Sequence, residues 1–118
     1  MPLGQPGCQP ASPRVDNEVR GAAVGGQLHG LLLGDVKVGA ETKIVWRMTG
    51  TGTFSAGYYS PTGTVESFTF GPAFHPTSSY HRAGDEWGLG YRWTAPGCWH
   101  LTFARTDVTA DVWLLVVP

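Results

Sequence analysis

Charge is scarce in this chain. Acidic and basic residues make up 14% of 118 positions, and Lys37 and Lys43 are its only lysines. That excludes a coiled coil and a chain held open by its own charge. The 8 Lys and Arg and the 9 Asp and Glu are scattered, so no basic footprint is offered to nucleic acid or to an anionic membrane. Apolar runs are short, and none approaches the ~18 residues of a membrane-spanning helix. Helical periodicity is missing too. Apolar positions do not recur at three- and four-residue spacing, and Gly or Pro interrupts almost every candidate stretch. The chain has no Gly-x-Ser-x-Gly elbow and no Gly-rich phosphate loop feeding a helix.

What is present points to strands. Glycine (17) and proline (9) punctuate a chain with 12% aromatic residues, a composition of many short strands joined by turns. Residues 1–17 carry four prolines and no hydrophobic period, so they read as a flexible Pro-rich tail. Residues 18–118 then form one domain, long enough to bury a core. Runs 18–25 and 27–34 are short, apolar and end in glycine. In run 42–50, Ile44, Trp46 and Met48 share one face. Residues 50–53 read as a hairpin loop into a returning strand, 53–60, with Phe54, Ala56 and Tyr58 in phase. After a turn at 60–63, run 64–71 puts Phe68 and Phe70 in phase. Run 87–94 alternates strictly, with Trp87, Leu89, Tyr91 and Trp93 on one face. A Pro-Gly turn at 95–98 feeds run 97–105, where Trp99, Leu101 and Phe103 share a face, and run 110–117 closes the last hairpin. About eight strands at this spacing fit two packed antiparallel sheets.

The Pro-Gly turn followed by Trp99 and Leu101 resembles the penultimate strand of immunoglobulin-like and PKD-like modules. Trp99 stands where such folds often place a sheet-corner Tyr, and Trp46 resembles their core Trp. With "GDEWG", "PGCW" and the closing "VWLLV", residues 40–118 resemble small exported Ig-like proteins and lipoproteins of Gram-positive bacteria, a group mostly of unknown function. The resemblance lies in pattern rather than motif. It implies an all-β, antiparallel two-sheet Ig-like sandwich in an extracytoplasmic protein, secreted or held at the cell surface. One departure is plain: Leu101 occupies the place of an inter-sheet Cys, and Cys98 points outward.

The opening "MPLGQPGCQPASPRVDNE" looks like the linker that follows a removed signal or lipid-anchor segment. Cys8 itself is a poor lipid-anchor cysteine, because Gln5 stands where an apolar residue is wanted. An exported protein with two cysteines usually pairs them. A Cys8–Cys98 bridge is the reading, with two free thiols, or Cys8 paired with another group, as the alternatives. Cys98 and His100, two apart on one strand face, make half of a soft-metal site at most.

The longest stretch without period, 72–86, is the expected contact loop. Phe74, His75, Tyr80, His81 and Arg82 offer stacking and hydrogen-bonding groups to a ligand. Its His75 and His81, with Asp85 and Glu86, also make a candidate metal set, though their spacing matches no strong signature. Trp46, Trp87, Trp93 and Trp99 belong to core-facing sets, which leaves Tyr59 and Tyr80 as candidates for sugar stacking. The reading is a non-enzymatic binding or surface-interaction module for a protein or glycan, requiring no cofactor. A metal-binding protein, or a subunit that assembles through an edge strand, are the alternatives. The partner's identity and the oligomeric state are not legible.

Overall fold

The computed structural model describes Cys8 and residues 11–77 and 79–118. Expectations for the remaining tail positions and for Ser78 lie outside the described residues. Eleven strands and no helix are found among the described residues: β1 (Arg14–Val15), β2 (Glu18–Arg20), β3 (Ala22–Val24), β4 (Leu28–Leu33), β5 (Glu41–Met48), β6 (Ser55–Tyr59), β7 (Val65–Glu66), β8 (Phe70–His75), β9 (Asp85–Arg92), β10 (Gly97–Ala104) and β11 (Thr109–Val116). They form a two-sheet antiparallel sandwich. One sheet runs β1-β2-β4-β5-β9-β8 and the other β3-β11-β10-β6-β7.

The core is the inward half of each alternating run. Ile44, Trp46, Met48, Trp87, Leu89, Tyr91, Trp93, Trp99, Leu101 and Phe103, the ten side chains that alternation turns inward, are all buried. Three of their four indole N–H groups are satisfied internally. Trp46 Nε1 donates to Tyr91 Oη at 2.9 Å, and Trp93 Nε1 donates to Thr42 Oγ1 at 2.9 Å. Trp99 Nε1 donates to the Ala95 carbonyl at 2.9 Å, which ties the β10 Trp to the turn that precedes it. Gly30 lies opposite Trp46 in the β4–β5 register, and a Cβ there would collide with the indole ring. The glycine is what lets that ring lie against the sheet.

Several expected pairings are corrected. The count of about eight becomes eleven because two apparent runs are cut where the chain changes sheet and β1 lies in the expected tail. Run 18–25 is β2 in one sheet and β3 in the other, broken at Gly21, where a Cβ would press on Leu28 and Val112. Residues 50–53 are not a hairpin loop, since β5 and β6 lie in different sheets. Run 64–71 likewise splits, so Phe68 packs against the core while Phe70 is exposed. The boundary drawn at 17/18 falls inside the sheet: Arg14 and Val15 already pair with Val19 and Glu18. The last hairpin matches the expectation, with Trp99 opposite Leu114 and Leu101 opposite Val112.

Stretch 72–86 is also corrected, because it is not one loop. Its first residues belong to β8 and its last to β9, leaving 76–84 as the connection. Pro72 concealed the strand. β8 is an edge strand, where a missing N–H is tolerated, and a cis Gly71–Pro72 bond and a register break lie just there. A register break also blunts an edge against pairing with another chain.

Candidate binding surfaces on the two outer faces

Alternation that sends Tyr58, Leu101 and Val112 inward sends their neighbours outward. On the five-stranded sheet, His100 of β10 is opposite Tyr59 of β6 and opposite Trp113 of β11. Three rings from three strands thus stand in one transverse row. The imidazole of His100 stacks on Trp113 with centroids 3.7 Å apart and planes 6° from parallel, and Tyr59 lies 6.2 Å away on the other side. Asp111 Oδ1 meets His100 Nε2 at 2.7 Å, which fixes the ring's tilt. Tyr59, Ser60, Pro61, His100, Thr102 and Trp113 line a groove of about 740 Å³. Trp113 is 38% exposed, a large aromatic left in water.

The N-terminal segment borders this groove. Ser12 and Trp113 exchange hydrogen bonds, Ser12 N to Trp113 O at 3.1 Å and Trp113 N to Ser12 Oγ at 2.8 Å. Cys8 and Cys98 are bridged, with Cα atoms 5.0 Å apart. Cys98 also lines the groove, and its sulfur is engaged in the bridge, so the Cys98–His100 metal half-site does not form.

The six-stranded sheet carries a polar row. Register places Arg20, His29, Arg47, Glu86 and His75 opposite one another across β2, β4, β5, β9 and β8. Glu86 is only 3% exposed, and its Oε2 meets His75 Nδ1 at 2.7 Å. Its Oε1 has no hydrogen-bond partner among the described residues, with Arg47 Nη1 at 3.7 Å. Arg82, from the 76–84 connection, grips Glu18 with two bonds of 2.6 Å, and Tyr80 Oη donates to the same carboxylate at 2.6 Å. Hydrogen bonds from Arg82, then from Tyr80, lower the Glu18 carboxyl to about 2. Burial pushes the Tyr80 phenol well up, and burial holds the His29 imidazole below its ordinary value.

The residues expected to form one contact loop are therefore dispersed. Phe74 is exposed beside Trp87, with centroids 5.7 Å apart. His75 is committed to Glu86. Tyr80 and Arg82 are committed to Glu18, and Arg82 shares a groove with His81. The metal set is corrected as well. Asp85 pairs with Arg105 at 2.8 Å, and no group of three or more His, Cys, Asp or Glu able to hold a metal exists among the described residues. Asp85 and Glu86 are neighbours on a strand, so their side chains leave by opposite faces.

Sequence reasoning missed Trp113, Asp111 and the His100 stack. The signal was there: in a run apolar on both faces, Trp113 is in phase with Asp111, and a charged residue belongs outside. No Ser or Thr hydroxyl among the described residues hydrogen-bonds His75 or His100, so each imidazole–carboxylate pair lacks a bonded nucleophile. The chain matches no protein-family model, no curated protein and no solved structure.

Proposed function

We propose that the protein is a non-enzymatic, extracytoplasmic binding module that takes a neutral oligosaccharide on the outer face of its five-stranded sheet. The observation that carries this reading is the row Tyr59–His100–Trp113, three rings on the outward face of one sheet, with Trp113 exposed and the other two half-buried. A sugar ring is apolar on its faces and hydroxylated at its edge. It matches a site whose rings offer stacking area while Asp111, Thr102 and Ser60 offer hydrogen bonds close by. The groove is of small-ligand size, and the rings stand on strands that hold them rigidly, which limits the ordering lost on binding.

Two further features support the setting. A Cys8–Cys98 bridge persists in oxidising compartments and is rare in reducing ones. The strand order β4-β5-β9-β8 against β11-β10-β6-β7 parallels the order of immunoglobulin-like sandwiches, in which successive pairs of strands alternate between sheets. In that correspondence Trp46 lies on the second strand of the sandwich and Trp99 on the penultimate one.

The test is a titration with cellohexaose, chitohexaose and mannohexaose, followed by intrinsic tryptophan emission. The reading expects at least one to bind saturably, and Trp113→Ala to weaken it by about tenfold or more, as loss of one stacked ring implies. Binding of none of the three, or equal binding by Trp113→Ala, overturns it. So does capture of a protein partner by the same face with no sugar binding.

A further inference from the structure

On the opposite face, a second groove has the features of a site for a small anion. It is about 770 Å³ and is lined by Arg20, His29, Arg47, His81 and Arg82, with Gly21, Gly26 and Ala83 among the small residues that keep it open. Three of its basic groups come from neighbouring strands in one register row, and two from the connection between β8 and β9.

The basic groups divide into two kinds. Arg82 is fixed by its twofold grip on Glu18, and Arg47 is fixed by donating from Nε to the Arg82 carbonyl at 2.8 Å. The side chains of Arg20 and His81 make neither a hydrogen bond nor an ion pair among the described residues, and both residues are exposed. Around the groove three guanidinium groups stand against two carboxylates, Glu18 and Glu86, one of them buried. Positive charge is left over in a concave place, where low-dielectric walls strengthen its field. His29 lines the same groove. Its Nδ1 is buried with no hydrogen-bond partner, an unfavourable arrangement for a polar atom. An anion seated beside that ring would favour its protonated form.

We propose that this groove binds one oxyanion group, with Arg20 and His81 as its direct ligands and Arg47 and Arg82 as the fixed cationic wall. The group is a carboxylate, a phosphate or a sulfate, which share oxygen acceptors on a delocalised negative charge and suit the planar fork of a guanidinium. The proposal is independent of the sugar reading, since it concerns the other sheet and other residues.

The test uses the full, oxidised chain at constant ionic strength. Sodium phosphate, sodium sulfate and sodium acetate are titrated separately against a sodium chloride control, with amide and arginine Nε–H resonances followed by NMR. The expected result is saturable shifts confined to residues 20–29, 47 and 81–83 for at least one of the three anions and not for chloride. Which anion saturates identifies the source chemistry, tetrahedral or planar. Arg20→Gln should weaken that binding about tenfold, the loss of one charge-assisted hydrogen bond. Arg14→Gln, an exposed arginine outside the groove, should leave it within about twofold. Arg20 is on the surface, so folding is unaffected and the amide spectrum will show it. Shifts that track ionic strength alone, or an Arg20→Gln variant that binds like the parent chain, overturn the proposal.

Discussion

The imidazole of His100 lies flat on the indole of Trp113, with centroids 3.7 Å apart, and is held there by Asp111 at 2.7 Å. Neither ring belongs to the core, so the stack is an ordered aromatic surface facing solvent. Its stability contribution should be small. Trp113→Ala is expected to cost about 1 kcal/mol, and a double-mutant cycle with His100→Ala should give a coupling of ~0.5–1.5 kcal/mol. Urea unfolding of the four proteins measures both. A cost of about 3–5 kcal/mol for Trp113→Ala, the size of a core deletion, would show that the ring is packing rather than surface.

Core substitutions should behave differently. In Gly30→Ala the new methyl meets the Trp46 ring, and overpacking of this kind costs about 1–3 kcal/mol. Tyr91→Phe removes the acceptor of the buried Trp46 N–H and should cost about 1–3 kcal/mol, with no change in buried carbon. Thermal melts followed by near-ultraviolet dichroism read both changes. A Gly30→Ala variant as stable as the parent would mean that Trp46 is free to move aside.

The Glu18–Arg82 pair predicts a pH slope. The folded Glu18 carboxyl is lowered from its ordinary value to about 2. A depressed carboxylate contributes stability that is full above the unfolded value and is lost as pH falls toward the folded one. The window therefore runs from about pH 4.5 down to about pH 2. Both side chains are partly exposed, so screening holds the contribution to roughly 1 kcal/mol. Glu18→Gln should flatten that part of the stability curve and leave the region above pH 5 parallel to the parent's. An unchanged acid slope in the variant would assign the effect to other carboxylates.

The bridge and the N-terminal segment should be separable. Cys8 and Cys98 are 90 residues apart, so chain entropy allows at most about 4–5 kcal/mol for the crosslink. Reduction should lower the melting temperature. With Cys98→Ser in both, a chain starting at Ala11 should be more stable than one starting at Glu18, because the second also loses β1 and the Ser12–Trp113 hydrogen bonds. Equal melting temperatures for the two truncations would show that residues 11–17 add nothing beyond the disulfide.

The candidate surfaces were legible only in part. His81 and Arg82 were singled out from the connection after β8, and both line the cationic groove. Arg20, His29 and Arg47 were invisible as partners because they lie on three separate strands, and only the register makes them neighbours. The metal set read from proximity in the chain fell apart for the converse reason. Asp85 and Glu86 are adjacent in sequence but leave opposite faces of β9, where one finds Arg105 and the other His75.

The amino-acid sequence by itself determined which side chains turn inward. Alternation is a local property of an extended chain, so Ile44, Trp46 and Met48, or Trp99, Leu101 and Phe103, could be assigned to a core without knowing what they would meet. It also determined the all-strand character, because glycine and proline deny a helix its length. Which strand lies beside which was decided by the tertiary structure alone. An outward residue acquires its neighbours through pairings that span tens of residues, and the pairing is chosen by packing of the whole core rather than by any local run. Tyr59 meets His100, and Arg47 meets Glu86, only once both sheets have closed on the buried tryptophans between them.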